Sequence, residues 1–112
     1  MTDKVIIYTT CGDAAAAEKL ARHLIEARLA ACVNVLPSVV SYYRWKGQIE
    51  SSGEVLLMVK TARVLVDTVR AEIEKTHSYE LPELLVVPII DGSPNYLAWL
   101  DQEIEIPKTV KN

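Results

Sequence analysis

The hydrophobic pattern along the chain changes period several times, and the changes mark out its elements. Lys4 to Thr10 is β-branched and aromatic, the pattern of a buried strand. Gly12 breaks this run, and Asp13 is a residue type that caps helices. From Ala14 to about Ala31 strong helix formers follow. Ala17, Leu20, Ala21, Leu24, Ala27 and Ala31 recur at spacings of three and four, giving one apolar stripe, with Glu18, Lys19, Arg22 and Glu26 largely off it. The pattern predicts a long amphipathic helix.

From Cys32 to Thr61 the pattern turns to β. Val33, Val35, Val39, Val40, Tyr42, Tyr43 and Trp45 dominate one arm and Val55 to Val59 the other, predicting a hairpin connected near Lys46-Gly47. Pro37 marks an edge or a bend, because it cannot donate to a ladder, and Gly53 is a candidate bulge. A second helix is expected from about Arg63 to Lys75. A further buried strand follows at Leu84 to Ile90 and a turn at Asp91-Gly92. Ser93 then caps a short helix that has Pro94 in its first position.

Strand, helix, long hairpin, helix, strand is the βαββαβ order of a ferredoxin-like α+β domain, here with an extended β-hairpin and a short C-terminal helix. Right-handed crossovers place both helices on one face of an antiparallel sheet. Yet the strands carry apolar residues in both alternations, so the second face needs a cover. The hairpin arms are about twice the usual strand length of five or six residues, and a lone two-stranded ribbon is marginal in water. Both features predict an obligate homo-oligomer, without fixing the number of subunits.

Composition narrows the function classes. The chain has 112 residues, half of them hydrophobic, which suits a single domain over residues 1–112 with a real core. Twelve basic residues against fifteen acidic ones give a charge of −3, which argues against nucleic acid as a partner. No apolar run reaches the roughly 18 to 20 residues of a membrane span. The first residues enter a strand pattern at once, leaving no room for a signal peptide. Two cysteines without a CxxC pair point to a reducing compartment, and the expected location is cytoplasmic.

Candidate chemistry is sparse. Cys11 and Cys32 are separated by the first helix and are not expected to form a disulfide. Cys32 reads as a small buried hydrophobe. Cys11, at a strand end before a helix N-terminus, is either a plain loop thiol or one favoured as thiolate. His23 reads as a surface or boundary residue. His77 closes the second helix, where the dipole favours an imidazolium, but Tyr79, Glu80 and Glu83 crowd beside it and make a site an equal alternative. Imidazole with carboxylate suits a divalent cation, and Cys11 would add a soft ligand favouring copper or zinc. Lys60, alone in an apolar strand, is an edge charge or an anion-binding group. Tyr42, Tyr43 and Trp45 form hairpin packing or an aromatic ligand wall. Nucleotide-binding glycine motifs and a nucleophile elbow are missing from the sequence, and an enzyme ranks last among the readings.

Several motifs in one order carry a resemblance. Leu29-Ala30-Ala31-Cys32-Val33-Asn34, Tyr43-Arg44-Trp45-Lys46-Gly47, Glu54 through Lys60-Thr61, His77-Ser78-Tyr79-Glu80-Leu81-Pro82-Glu83 and Tyr96-Leu97-Ala98-Trp99-Leu100 resemble the CutA family of divalent-cation-tolerance proteins, over roughly residues 4 to 101. The resemblance implies an interlocked homotrimer with PII-like architecture. It also implies a role in tolerance to copper and other divalent cations, with copper as the bound ion. The leading reading is a non-enzymatic binding protein for copper, with zinc the second ion that the residue types suit. The family's proposed copper site maps onto His77 and Glu83, while its cysteine falls on Thr9, two residues before Cys11. Ser78 stands where the family has proline. Lys60, Tyr79 and Trp45 would shape the pocket. The alternative is a PII-like scaffold trimer that binds an anionic small molecule or a partner protein.

Overall fold

A computed structural model of the chain describes residues 2–106. Strand β1 spans Lys4–Cys11, one residue beyond its predicted end. Cys11 pairs with Val55 instead of opening a loop, and its side chain is 4% exposed. Helix α1, Ala14–Glu26, starts as expected, with Asp13 Oδ1 accepting from the Ala16 N–H at 2.7 Å. It ends five residues short of Ala31. Arg28 takes a left-handed φ of 57°, and the Leu29 and Ala30 N–H groups both turn back to the Leu24 carbonyl. The Ala31 N–H then donates to the Lys60 carbonyl at 3.0 Å, so sheet pairing overrides the helix propensity of this alanine-rich stretch.

Strands β2, Cys32–Trp45, and β3, Gln48–Ala62, form the long hairpin. Lys46 and Gly47 both adopt positive φ, 51° and 83°, the requirement of a two-residue turn matched to strand twist. The ladder slips at Pro37-Ser38, between the pairs Leu36–Leu56 and Val39–Glu54, with Ser38 at φ 65°. Pro37 lacks the N–H that a ladder needs, so the irregularity falls on it. Gly53, the predicted bulge, instead pairs regularly with Val40.

A short 3-10 turn, Arg63–Leu65, leads into α2, Val66–Thr76. Strand β4 is shorter than predicted, Leu85–Pro88, because it pairs with β1 over Val5 to Tyr8 alone. Helix α3, Pro94–Glu103, is capped by Ser93 Oγ, which accepts from the Tyr96 N–H at 3.3 Å.

The sheet order is β2-β3-β1-β4 with every neighbour antiparallel, the ferredoxin-like α+β arrangement. Val5, Ile7, Leu57 and Val59 point one way and are fully buried with Leu24, Leu65, Val69 and Ile73 of the helical layer. The alternate residues Ile6, Tyr8, Leu56, Met58 and Lys60 point the other way. Helix α3 covers one end of that second face, where Asp101 meets Lys4 at 3.1 Å and the Lys60 ammonium donates to the Tyr96 hydroxyl at 3.3 Å. The remainder is open, leaving Leu85 60% and Val87 43% exposed. Beyond Val55, β3 pairs with β2 alone, so a two-stranded ribbon projects from the sheet and stretches the molecule to 46 × 27 × 24 Å.

Candidate functional site

The segment between α2 and β4 is fastened to β1 at two points. His77, directly after α2, donates its Nε2–H to the Thr10 carbonyl at 2.5 Å. Its Nδ1 accepts the Tyr79 N–H at 3.1 Å, so both ring nitrogens are bonded to the main chain. Six residues on, the Glu83 carbonyl accepts from Thr9 Oγ1 at 2.7 Å. Thr9, onto which the resemblance maps the family's cysteine, is buried, and its hydroxyl is engaged with the main chain.

Tyr79 packs on the His77 ring, with centroids 4.6 Å apart, and lies over Gly12. A Cβ at Gly12 would meet the tyrosine hydroxyl at 3.5 Å, an ordinary van der Waals contact, so the ring packs directly over this turn. Burial, followed by the neighbouring Glu54 carboxylate, pushes the Tyr79 phenol up to about 12. Burial also raises the Cys11 thiol, reinforced by Asp13 and Glu54. Burial and the two carboxylates thus disfavour the thiolate at Cys11. Both cysteines are free thiols.

Two grooves flank this segment. The larger, about 800 Å³, lies between the ribbon and the loop, and Tyr43, Trp45, Glu50 and Glu54 face Tyr79, Glu80 and Glu83 across it. The smaller, about 370 Å³, lies between α1 and α2 and takes in Cys11, His23, Glu72, Lys75 and His77. The predicted constellation is therefore divided. Glu83, Tyr79 and Trp45 share the first groove, and His77 and Cys11 line the second. Lys60 borders neither, and its ammonium rests 5.5 Å from the Tyr96 ring centroid. Among the described residues, no three His, Cys, Asp or Glu side chains gather closely enough to hold a metal ion.

Glu50 and Glu54 are groove residues that the sequence pattern did not single out. Glu54 is 9% exposed at the base of the ribbon, and an acidic residue beside the apolar run Val55 to Val59 was the available signal.

The molecule is thus a ferredoxin-like α+β domain with a projecting ribbon and an acidic groove at its base. The chain belongs to the CutA1 divalent ion tolerance family, whose sequence model matches residues 5–103. It is 42% identical over 98 residues to mouse (Mus musculus) Protein CutA, an alignment covering 88% of this chain and 55% of that protein. The chain spans about half the length of that relative. To the divalent-cation tolerance protein CutA of Pectobacterium atrosepticum it is 38% identical over 104 residues, covering 93% of this chain and 94% of the other. The crystal structure of CutA from Xylella fastidiosa superposes with a TM-score of 0.90 at 42% identity, covering 93% of this chain and all of that one. Among the described residues, no helix is long and apolar enough to cross a membrane.

Proposed function

We propose that the chain is the subunit of a non-enzymatic homotrimer that binds divalent cations in the groove bearing Glu83 and serves divalent-cation tolerance in the cytoplasm. The observation that carries the cation reading is the convergence of Glu50, Glu54, Glu80 and Glu83 on one groove, with Arg44 as the opposing charge, in a member of a divalent ion tolerance family. Low-dielectric walls of Tyr43, Trp45 and Tyr79 concentrate that negative field. No three of these donors form a closed cage within one subunit, so water and a neighbouring copy complete the coordination.

Carboxylate and water oxygens suit hard divalent ions, and at one and the same oxygen site copper(II) binds more tightly than zinc. His77 lines the other groove, so it joins as a ligand through Nδ1 only where the loop releases the Tyr79 N–H and turns the ring toward Glu83. Cys11 contributes only if metal displaces its proton, against the burial that raises the thiol. Copper is accordingly bound, but with lower affinity than a site with an exposed thiolate would give. The open apolar sheet face and the unsupported ribbon support association with further copies, and the free cysteines support a reducing compartment.

Calorimetric titration of metal-stripped protein with Zn(II) and Cu(II), beside Glu83→Gln, tests the site. Glu83→Gln is expected to weaken binding in this groove by about tenfold or more. Unchanged affinity and stoichiometry in that variant overturns the assignment.

A further inference from the structure

The sequence holds two histidines, and they stand in different chemical states. Both ring nitrogens of His77 are engaged, by Thr10 and by Tyr79. His23 is available: its side chain is 46% exposed, and its Nε2 faces the Glu72 Oε1 at 2.6 Å across the gap between α1 and α2. We infer that His23 and Glu72 form a second divalent-cation site on the outer, helical face, taking zinc or copper(II) through one imidazole nitrogen and one carboxylate, with waters in the other positions.

Three features support this. Two ligands bound tetrahedrally at about 2.0–2.1 Å stand about 3.3 Å apart. The pair therefore needs to open by less than 1 Å for an ion to take the place of the hydrogen bond. The donors are also well held. His23 precedes Leu24 and Glu72 precedes Ile73, and both of these neighbours are fully buried, so core packing fixes the two backbones from which the donors project. Finally, Glu72 is oriented through its other oxygen, Oε2, which Lys75 Nζ meets at 3.3 Å, leaving Oε1 to face the imidazole.

The charged groups around the pair decide which ion binds. Lys75 Nζ lies 3.3 Å from the other Glu72 oxygen, Oε2, and Lys19 lines the same groove. Two ammonium groups repel an ion held by charge alone, which disfavours magnesium and calcium. Zinc and copper(II) form strong bonds to imidazole nitrogen and tolerate that field better. Lys75, 68% exposed, is free to swing into solvent when Glu72 turns to the metal.

This site is independent of the groove holding Glu83. It lies on the helical layer, opposite the open sheet face, so association of copies through that face leaves it accessible.

The test is titration of the metal-stripped full chain with Zn(II), and with Mg(II) as a control, followed by calorimetry and by the imidazole resonances of His23. Wild type, His23→Ala, Glu72→Gln and Glu83→Gln are compared. His23 and Glu72 both lie on the outer surface, and circular dichroism verifies that the variants fold. The expected result is one zinc site per subunit that shifts the His23 resonances and survives Glu83→Gln. It should weaken by about tenfold or more in His23→Ala and in Glu72→Gln, and magnesium should leave the resonances unmoved. Zinc stoichiometry and affinity unchanged in His23→Ala, or His23 resonances unmoved by zinc in wild type, overturns the inference.

Discussion

Thr9 Oγ1 donates to the Glu83 carbonyl at 2.7 Å, joining the centre of β1 to the end of the loop that carries the acidic groove's Tyr79, Glu80 and Glu83. Thr9 is fully buried, so this bond holds the loop where solvent cannot replace it. The His77 bond to Thr10, one residue along, is the second fastening. Threonine therefore does structural work at the position where the family's cysteine was expected.

Thr9→Val keeps the shape of the side chain and leaves the Glu83 carbonyl without its partner. It is expected to cost about 1–2 kcal/mol of stability and to speed hydrogen exchange in the segment between α2 and β4. Exchange measured by mass spectrometry checks it, and protection equal to wild type across residues 77–84 would show that His77 alone holds the loop.

Leu85 projects from the edge strand β4 into the open half of the sheet's second face and is 60% exposed. Within the subunit Leu85→Glu is cheap, since its carboxylate stays in water. At an interface it places a charge where the face needs an apolar cover. Sedimentation at micromolar concentration is expected to show a trimer for the wild type and a shift toward monomer for Leu85→Glu. A variant that sediments as the wild-type trimer would place the contact elsewhere.

Lys4 is 5% exposed and ties β1 to the start of the fold and to α3, through Asp3 at 2.6 Å and Asp101 at 3.1 Å. Burial by itself lowers the ammonium's pKa, but the hydrogen bonds and charges of the two carboxylates outweigh it, and the net shift is upward. A raised lysine stabilises the fold fully below its unfolded pKa, near 10.4, and that contribution is lost as pH rises through the folded value. Both carboxylates are well exposed and screened, so Lys4→Met is expected to cost about 1 kcal/mol at neutral pH. The gap between variant and wild type should close in strongly alkaline solution. Thermal melts across pH 7 to 12 check this, and a gap that widens with pH contradicts the assignment.

Much of the fold was legible in the sequence because its signals are local. Asp13 and Ser93 cap the helices they were expected to cap, Lys46-Gly47 makes the predicted turn, and Pro37 falls where the ladder slips. The apolar residues in both strand alternations also announced a sheet with a second face to cover, and Leu85 and Val87 lie open on that face. Errors arose where a distant partner overruled a local preference. Leu29 to Ala31 have helical composition, yet the Lys60 carbonyl draws Ala31 into the sheet.

The candidate site divides along the same line. Residue types and crowding along the chain brought out His77, Tyr79, Glu80 and Glu83, which already put carboxylates and an imidazole near one loop. Which of them are available follows from how the elements pack. Both His77 nitrogens are committed through Thr10 and Tyr79, Glu50 and Glu54 arrive from the far side of the hairpin, and His23 meets Glu72 from a helix 49 residues away in sequence. Availability depends on hydrogen-bond partners and burial, which are set by packing between elements distant in the chain and leave no trace in local spacing.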